Sequence, residues 1–328
     1  MSTLSRIAVN CLWMARYLER AENTARLINV AQQQSLLPEF PLNDARPWRW
    51  LLDIAADDKV LEKLPGENPG NAALALLIYD HEYPSSLWSC LRAVRENART
   101  ARSRLTNDLW EAANTTWIEA QKLDANTLAE RGVSTTLEWA SRRCMWIRAT
   151  IEDLLEDHAA NIISVGRTIE RCDNTIRILR AFVPAMKKYG QDSATPGTPG
   201  YRLWDAMLSA AGVQDWYRKI YGPLGDLPNT VELIARYDKQ PRSLLCNARR
   251  LATALGQLAE NGRTTCLQRA ENLTKSFDQL SVADLISEPE RLSDLLMEIY
   301  LISDAVAIDH CGQEPKPPLE SQSQSQSM

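Results

Sequence analysis

The stretch YLERAENTAR (residues 17–26) returns in altered form as TIERCDNTIR (residues 168–177). Set 151 residues apart, Arg16/Arg167, Glu19/Glu170, Arg20/Arg171, Asn23/Asn174, Thr24/Thr175 and Arg26/Arg177 are identical, and Glu22/Asp173 keeps its charge. The apolar positions keep only their type, as in Leu18/Ile169, Ala21/Cys172, Ala25/Ile176 and Ile28/Leu179. In the first copy Cys11, Met14, Leu18, Ala21, Ala25 and Ile28 recur at alternating steps of three and four, which draws one apolar stripe down a helix. The chain thus writes one helix twice, and that predicts both its fold class and a duplicated plan.

The rest of the chain has the same period. Pro84-Ser85-Ser86-Leu87 opens a run to about Leu105, with Leu87, Leu91, Val94, Ala98 and Ala101 at helical spacing. Further helices are expected near 46–56, 74–78, 109–123, 136–157, 162–186, 203–211, 215–220, 230–237, 242–261, 264–277, 282–286 and 293–308. Strict alternation is absent, so the fold class is all-α. A second repeated block follows at a similar offset: Pro84-Ser85-Ser86-Leu87 matches Pro241-Arg242-Ser243-Leu244, each preceded by an aspartate, Asp80 and Asp238. Trp50 and Trp204 form a weaker third correspondence. The expectation is a single helical domain over 1–313 built from two halves, about 1–160 and 161–313, packed about a pseudo-twofold axis. The segment EPKPPLESQSQSQSM (314–328) has too little apolar surface to order itself and reads as a disordered tail.

Composition excludes several function classes. With 328 residues, 45% hydrophobic and 24% charged, the chain falls in the range of soluble globular proteins. Its formal net charge of −5 gives no global field for nucleic acid or an anionic membrane, so nucleic-acid binding is not expected. No segment reaches 18 uninterrupted apolar residues and the first residues lack a signal-peptide pattern, from which we expect a cytoplasmic protein. Seven scattered cysteines without a CxxC pair read as reduced core thiols. The histidines His81, His158 and His310 lie far apart, so no metal is expected. The glycine-containing loops lack the lysine of a P-loop and the strand of a Rossmann turn, and no cofactor is expected.

The candidate site is the repeated polar line. At 100° per residue Arg16, Glu19, Asn23 and Arg26 share one face opposite the apolar stripe, with Arg20 beside it. Arg167, Glu170, Arg171, Asn174 and Arg177 repeat that face. A solvated helix face tolerates exchange most readily, yet the two copies agree better on the polar line than on the apolar one. These groups are therefore expected either as a buried Glu/Arg/Asn network between the halves or as the lining of a shared cleft for an anionic or amide-bearing ligand. Secondary candidates are weaker. Arg92, Arg95 and Arg99, continued by Arg102, make a basic stripe that Glu96 softens. Asp80 and Asp238 stand where a helix cap would, and Ser86 and Ser243 have no His/Asp companions for nucleophilic catalysis. The ten tryptophans read mainly as core packing.

SRIAVNCLWMARYLERAENTAR and SVGRTIERCDNTIR, with the two D…P-x-S-L blocks, resemble the alpha-E family of bacterial helical proteins over essentially residues 1–310. The resemblance implies a setting: the family is typically encoded beside circularly permuted ATP-grasp proteins and transglutaminase-like cysteine peptidases, which suggests peptide ligation or modification. The partners it implies are an ATP-grasp protein and such a peptidase. Ala15 stands where the second copy has Gly166, a position the family often fills with glycine, and a wider helix contact is expected in the first half. Three readings remain: a non-catalytic partner or substrate-binding subunit of such a system, an enzyme using a Glu/Arg cleft for acyl or amide transfer, or a structural dimerisation module.

Overall fold

A computed structural model describes residues 3–37, 46–55, 69–259 and 262–312. The predicted tail from Glu314 and much of the two proline-containing loops after Leu37 and Leu64 lie outside the described residues. Among the described residues all regular structure is helical: α1 (Thr3–Ser35), α2 (Arg46–Ala55), α3 (Pro69–Leu74, continued by a π-turn over Ala75–Tyr79), α4 (Leu87–Thr100), α5 (Asn107–Ala120), α6 (Ala125–Arg131), α7 (Val133–Ile151) and α8 (His158–Tyr189). There follow α9 (Pro199–Ala211), α10 (Gln214–Tyr221), α11 (Leu227–Ala235), α12 (Leu244–Leu258), α13 (Thr265–Asp278), α14 (Val282–Ser287) and α15 (Arg291–Asp309). The all-α expectation holds, with local shifts. The expected helix 136–157 ends early, at Ile151, and Asp157, which accepts from the N–H groups of Ala159 and Ala160, starts α8, four residues ahead of the expected 162. The short α6, capped by Asp124, was not foreseen.

Many of the helix starts are capped by side chains. Ser86 Oγ accepts from Ser89 N at 3.0 Å and Ser243 Oγ from Cys246 N at 3.1 Å, so the serines of the repeated blocks cap α4 and α12. The aspartates do not. Asp80 Oδ1 instead accepts from the N–H groups of Glu82 and Tyr83, an Asx turn that shapes the loop before α4. Asp238 pairs with Arg249 at 3.0 Å on the surface. A serine five or six residues closer to the helix takes the capping role from each aspartate.

The two long helices, about 50 Å each at 1.5 Å per residue, form the centre and pack on one another. Around α1 lie α2, α4 and α7, with α5 bridging α4 and α7; around α8 lie α9, α12 and α15, with α13 bridging α12 and α15. Because neighbours enclose both central helices, the apolar stripe of α1 and much of its polar line are withdrawn from water: Cys11, Met14, Ala21 and Ile28 are fully buried, Arg16, Glu19 and Asn23 are buried, and Arg20 and Arg26 are half-buried. At the crossing, a Cβ on Gly166 would run into the Leu12 carbonyl oxygen and lie 3.2 Å from Ala15 Cβ. The expected widening at Ala15 is not found. Ala15 and Gly166 meet at one contact, and the glycine supplies the room that the alanine uses.

Candidate functional site

The repeated polar residues do not form a wet face. Arg16 is 8% exposed, Glu19 4%, Glu170 1% and Arg171 7%, so these charges are held between α1 and α8. Their pairing is reciprocal. Arg20 donates Nε and Nη2 to the two Glu170 oxygens at 2.6 and 3.0 Å, while Arg171 donates Nε and Nη2 to the two Glu19 oxygens at 2.9 and 2.7 Å. Both are two-point guanidinium–carboxylate forks, the geometry that satisfies buried charges best.

Beyond the forks the two ends differ. At the Glu19 end Arg242 reaches across from the start of α12 and bridges two carboxylates, Nη1 to Glu19 at 3.1 Å and Nη2 to Glu22 at 2.6 Å. Arg148 of α7 adds a second guanidinium to Glu22 at 2.7 Å. Arg26 donates to the Ala210 carbonyl and to Asn23 Oδ1, which closes this end with protein groups.

At the Glu170 end the third partner is Arg16, whose Nε donates to Glu170 at 2.9 Å and whose Nη1 donates to Ser303 Oγ. Arg177 pairs with Asp173 at 2.8 Å and donates to the Tyr300 hydroxyl at 2.6 Å. The repeated block here carries Ser85 where the other carries Arg242. A cavity of about 580 Å³ opens at this place, walled by Ser85, Pro84, Tyr83, Thr24 and the end of α2, with Glu170, Asp173, Asn174 and Arg177 as its inner wall. The loop is fixed: Tyr83 Oη donates to the Ala55 carbonyl at 2.7 Å and Ser86 Oγ to the Asp80 carbonyl at 2.6 Å. Asn174 Nδ2 is buried without a hydrogen-bond partner among the described residues. Exposed Asp53 and Arg180, of opposite sign, complete the rim.

The titration of these groups follows the charges. Burial alone would raise Glu19, yet Arg171 and then Arg242 hold it down at about 2. Glu170 is likewise held below its ordinary value by Arg20 and Arg16 against burial. Asp173 moves the other way: burial, helped by the Glu170 charge, outweighs Arg177 and raises its carboxyl. Burial together with the Arg242 charge pushes Arg26 down to about 9. All seven cysteines are buried, and burial raises Cys11, Cys90 and Cys172 to about 12, far from thiolate reactivity.

Other candidates sit elsewhere. Arg167, the sequence partner of Arg16, leaves the network and pairs with Glu152 at 3.1 Å. Arg95 and Arg99 both pair with Glu96, and Arg92 stacks over Trp88 at 4.8 Å, so a single carboxylate offsets only part of the charge of the stripe on α4. Among the described residues no group of three or more His, Cys, Asp or Glu is placed to hold a metal ion. Sequence reasoning missed Arg242, Arg148, Tyr300 and Ser303 as members of the network. Arg242 left a trace, the one changed residue inside a repeated block; Arg148 and Tyr300 left none, because only the packing of α7 and α15 brings them in.

No solved structure matches this chain. Uncharacterized proteins of Mycobacterium bovis and Mycobacterium tuberculosis are 24% identical to it over 307 residues, a match covering 88% of this chain and 33% of theirs. The chain thus spans about a third of the length of these curated relatives. Between residues 3 and 310 it matches a family described as a predicted alpha-helical domain with a conserved ER motif, and the Glu19-Arg20 and Glu170-Arg171 pairs of the central network accord with that description: the chain belongs to the Alpha-E family.

Proposed function

We propose that the chain is a non-catalytic binding subunit of a peptide-ligation or peptide-modification system, with the cavity at the Glu170 end as its ligand site and an ATP-grasp protein as its catalytic partner. The observation that carries this reading is the asymmetry of the network: equal motifs build a sealed end and an end that keeps about 580 Å³ open beside paired charges. The candidate nucleophiles have other duties, since Ser86 and Ser243 cap helices and the thiols are buried. The same reading takes the two halves as copies of one helical unit, for which the parallel surroundings of α1 and α8 speak. The test is co-purification of the tagged full chain with an ATP-grasp protein from its own cells, alongside an ATP-turnover assay on the chain alone. Retention of the partner and no turnover by the isolated chain is the expected result; turnover by the isolated chain, lost in Asp173→Asn, would end it.

A second reading, acyl or amide transfer by this chain, draws on Asp173, a cavity carboxyl that burial raises above its ordinary value. Glu170 does not suit that role, being shared by two guanidinium groups that keep it ionised.

A further inference from the structure

We propose that the cavity binds a guanidinium or primary ammonium group of its ligand, seated between Glu170 and Asp173 as the Arg242 guanidinium is seated between Glu19 and Glu22. This deepens the binding-subunit reading and rests on it for taking the cavity as a ligand site.

The molecule contains its own template. Arg242 leaves the Pro241-Arg242-Ser243-Leu244 block, whose backbone is tied to α8 through Thr175 Oγ1 on the Arg242 carbonyl, and its guanidinium bridges the two carboxylates of α1. The matching Pro84-Ser85-Ser86-Leu87 block stands beside the two carboxylates of α8 with Thr24 in the same wall, but Ser85 ends after one heavy atom beyond Cβ. The space a long cationic side chain would fill is the cavity.

The charge count agrees. At the sealed end Glu19 and Glu22 have Arg171, Arg242, Arg148 and Arg26 within 4.0 Å, four guanidinium groups for two carboxylates. At the open end Glu170 and Asp173 have Arg16, Arg20 and Arg177, three for two. The difference is one cation. The strain runs in opposite directions: a guanidinium, Arg26, is disfavoured at the sealed end, and a carboxylate, Asp173, at the open end. The open end's guanidinium groups are also committed, Arg16 and Arg20 to Glu170 and Arg177 to Asp173 and Tyr300, so an entering anion would have to compete with internal carboxylates. At the rim Asp53 and Arg180 carry opposite charges.

Isothermal titration of the full chain near pH 7.5 tests this with N-acetyl-arginine amide and agmatine as cations, N-acetyl-citrulline amide as the neutral isostere, and citrate and N-acetyl-glutamate as anions. The arginine amide should bind at least tenfold more tightly than the citrulline amide. Agmatine binding as tightly assigns a free amine as the source; tighter binding of the arginine amide assigns a peptide side chain. Ser85→Arg should abolish cation binding without lowering the melting temperature, since it supplies the missing guanidinium from within, and Ser85→Leu should block the space without the charge. Asp173→Asn should weaken binding at least tenfold. Tighter binding of citrate or N-acetyl-glutamate than of the cations, unchanged cation binding in both Ser85 variants, or no cation binding at millimolar concentration overturns the proposal. Absent cation binding with an intact ATP-grasp association removes this proposal alone; the reverse removes only the partner.

Discussion

The Glu19 and Glu170 ends of the central network start from the same residues and arrive at different environments. Each has a glutamate forked by an arginine from the other long helix. At Glu19 the third bond and the space above it are taken by Arg242; at Glu170 Arg16 makes the third bond, and the serine leaves only the space to the cavity. One position in a repeated block thus separates a structural ion cluster from a site. The lesson concerns cost: a sealed carboxylate depends entirely on protein partners, whereas one beside a cavity can recruit water when a partner is removed.

The sharpest way to break this comparison is to neutralise each glutamate in turn. Glu19→Gln leaves guanidinium groups without their counter-charge in a dry place and should cost about 3–5 kcal/mol in urea unfolding. Glu170→Gln faces the cavity and should cost about 2 kcal/mol less, because water can solvate Arg16 and Arg20 there. Equal losses would show that the cavity does not relieve the charge. Acid titration sharpens the same contrast. A carboxyl whose native pKa lies below its unfolded one stabilises fully above the unfolded value and loses that contribution as pH falls toward the native one. For Glu19 the window runs from its ordinary 4.5 down to about 2. Wild-type stability should therefore fall across this window, and Glu19→Gln should flatten that limb when unfolding free energy is measured against pH.

Gly166→Ala should come next. Its methyl group meets the Leu12 carbonyl at the helix crossing and should cost about 1–3 kcal/mol by overpacking, lowering the thermal midpoint of both ends together. Removing a cap, Ser86→Ala or Ser243→Ala, should cost about 1 kcal/mol in chemical denaturation, and the two values should match if the caps are equivalent. Smallest of all, Asp238→Asn breaks only an exposed pair and should stay within about 0.5 kcal/mol.

Much of this was legible in the chain. Helical period gave the elements, and the better agreement of the polar line than of the apolar stripe pointed to Glu19, Arg20, Glu170 and Arg171 as withdrawn from solvent. Two features were beyond reach for physical reasons. Identity of sequence did not give identity of environment, so Arg16 and Arg167 part company because α15 offers Ser303 near one and the loop after α7 offers Glu152 near the other. Likewise the choice between network and cleft could not be made from a helix face, because it turns on Arg242 and Ser85, which arrive from elements far away in the chain. The positions of Asp80 and Asp238 predict caps, and the nearer serines take that role.

The close approach of Ala15 to Gly166 bears on how the molecule can respond to a bound group. With the two spines in backbone contact and ion pairs spanning them on both flanks, sliding one spine along the other would tear several charged bonds simultaneously. Binding should therefore leave the two spines in register, so a partner that reads the occupied state must touch the cavity margin rather than the centre.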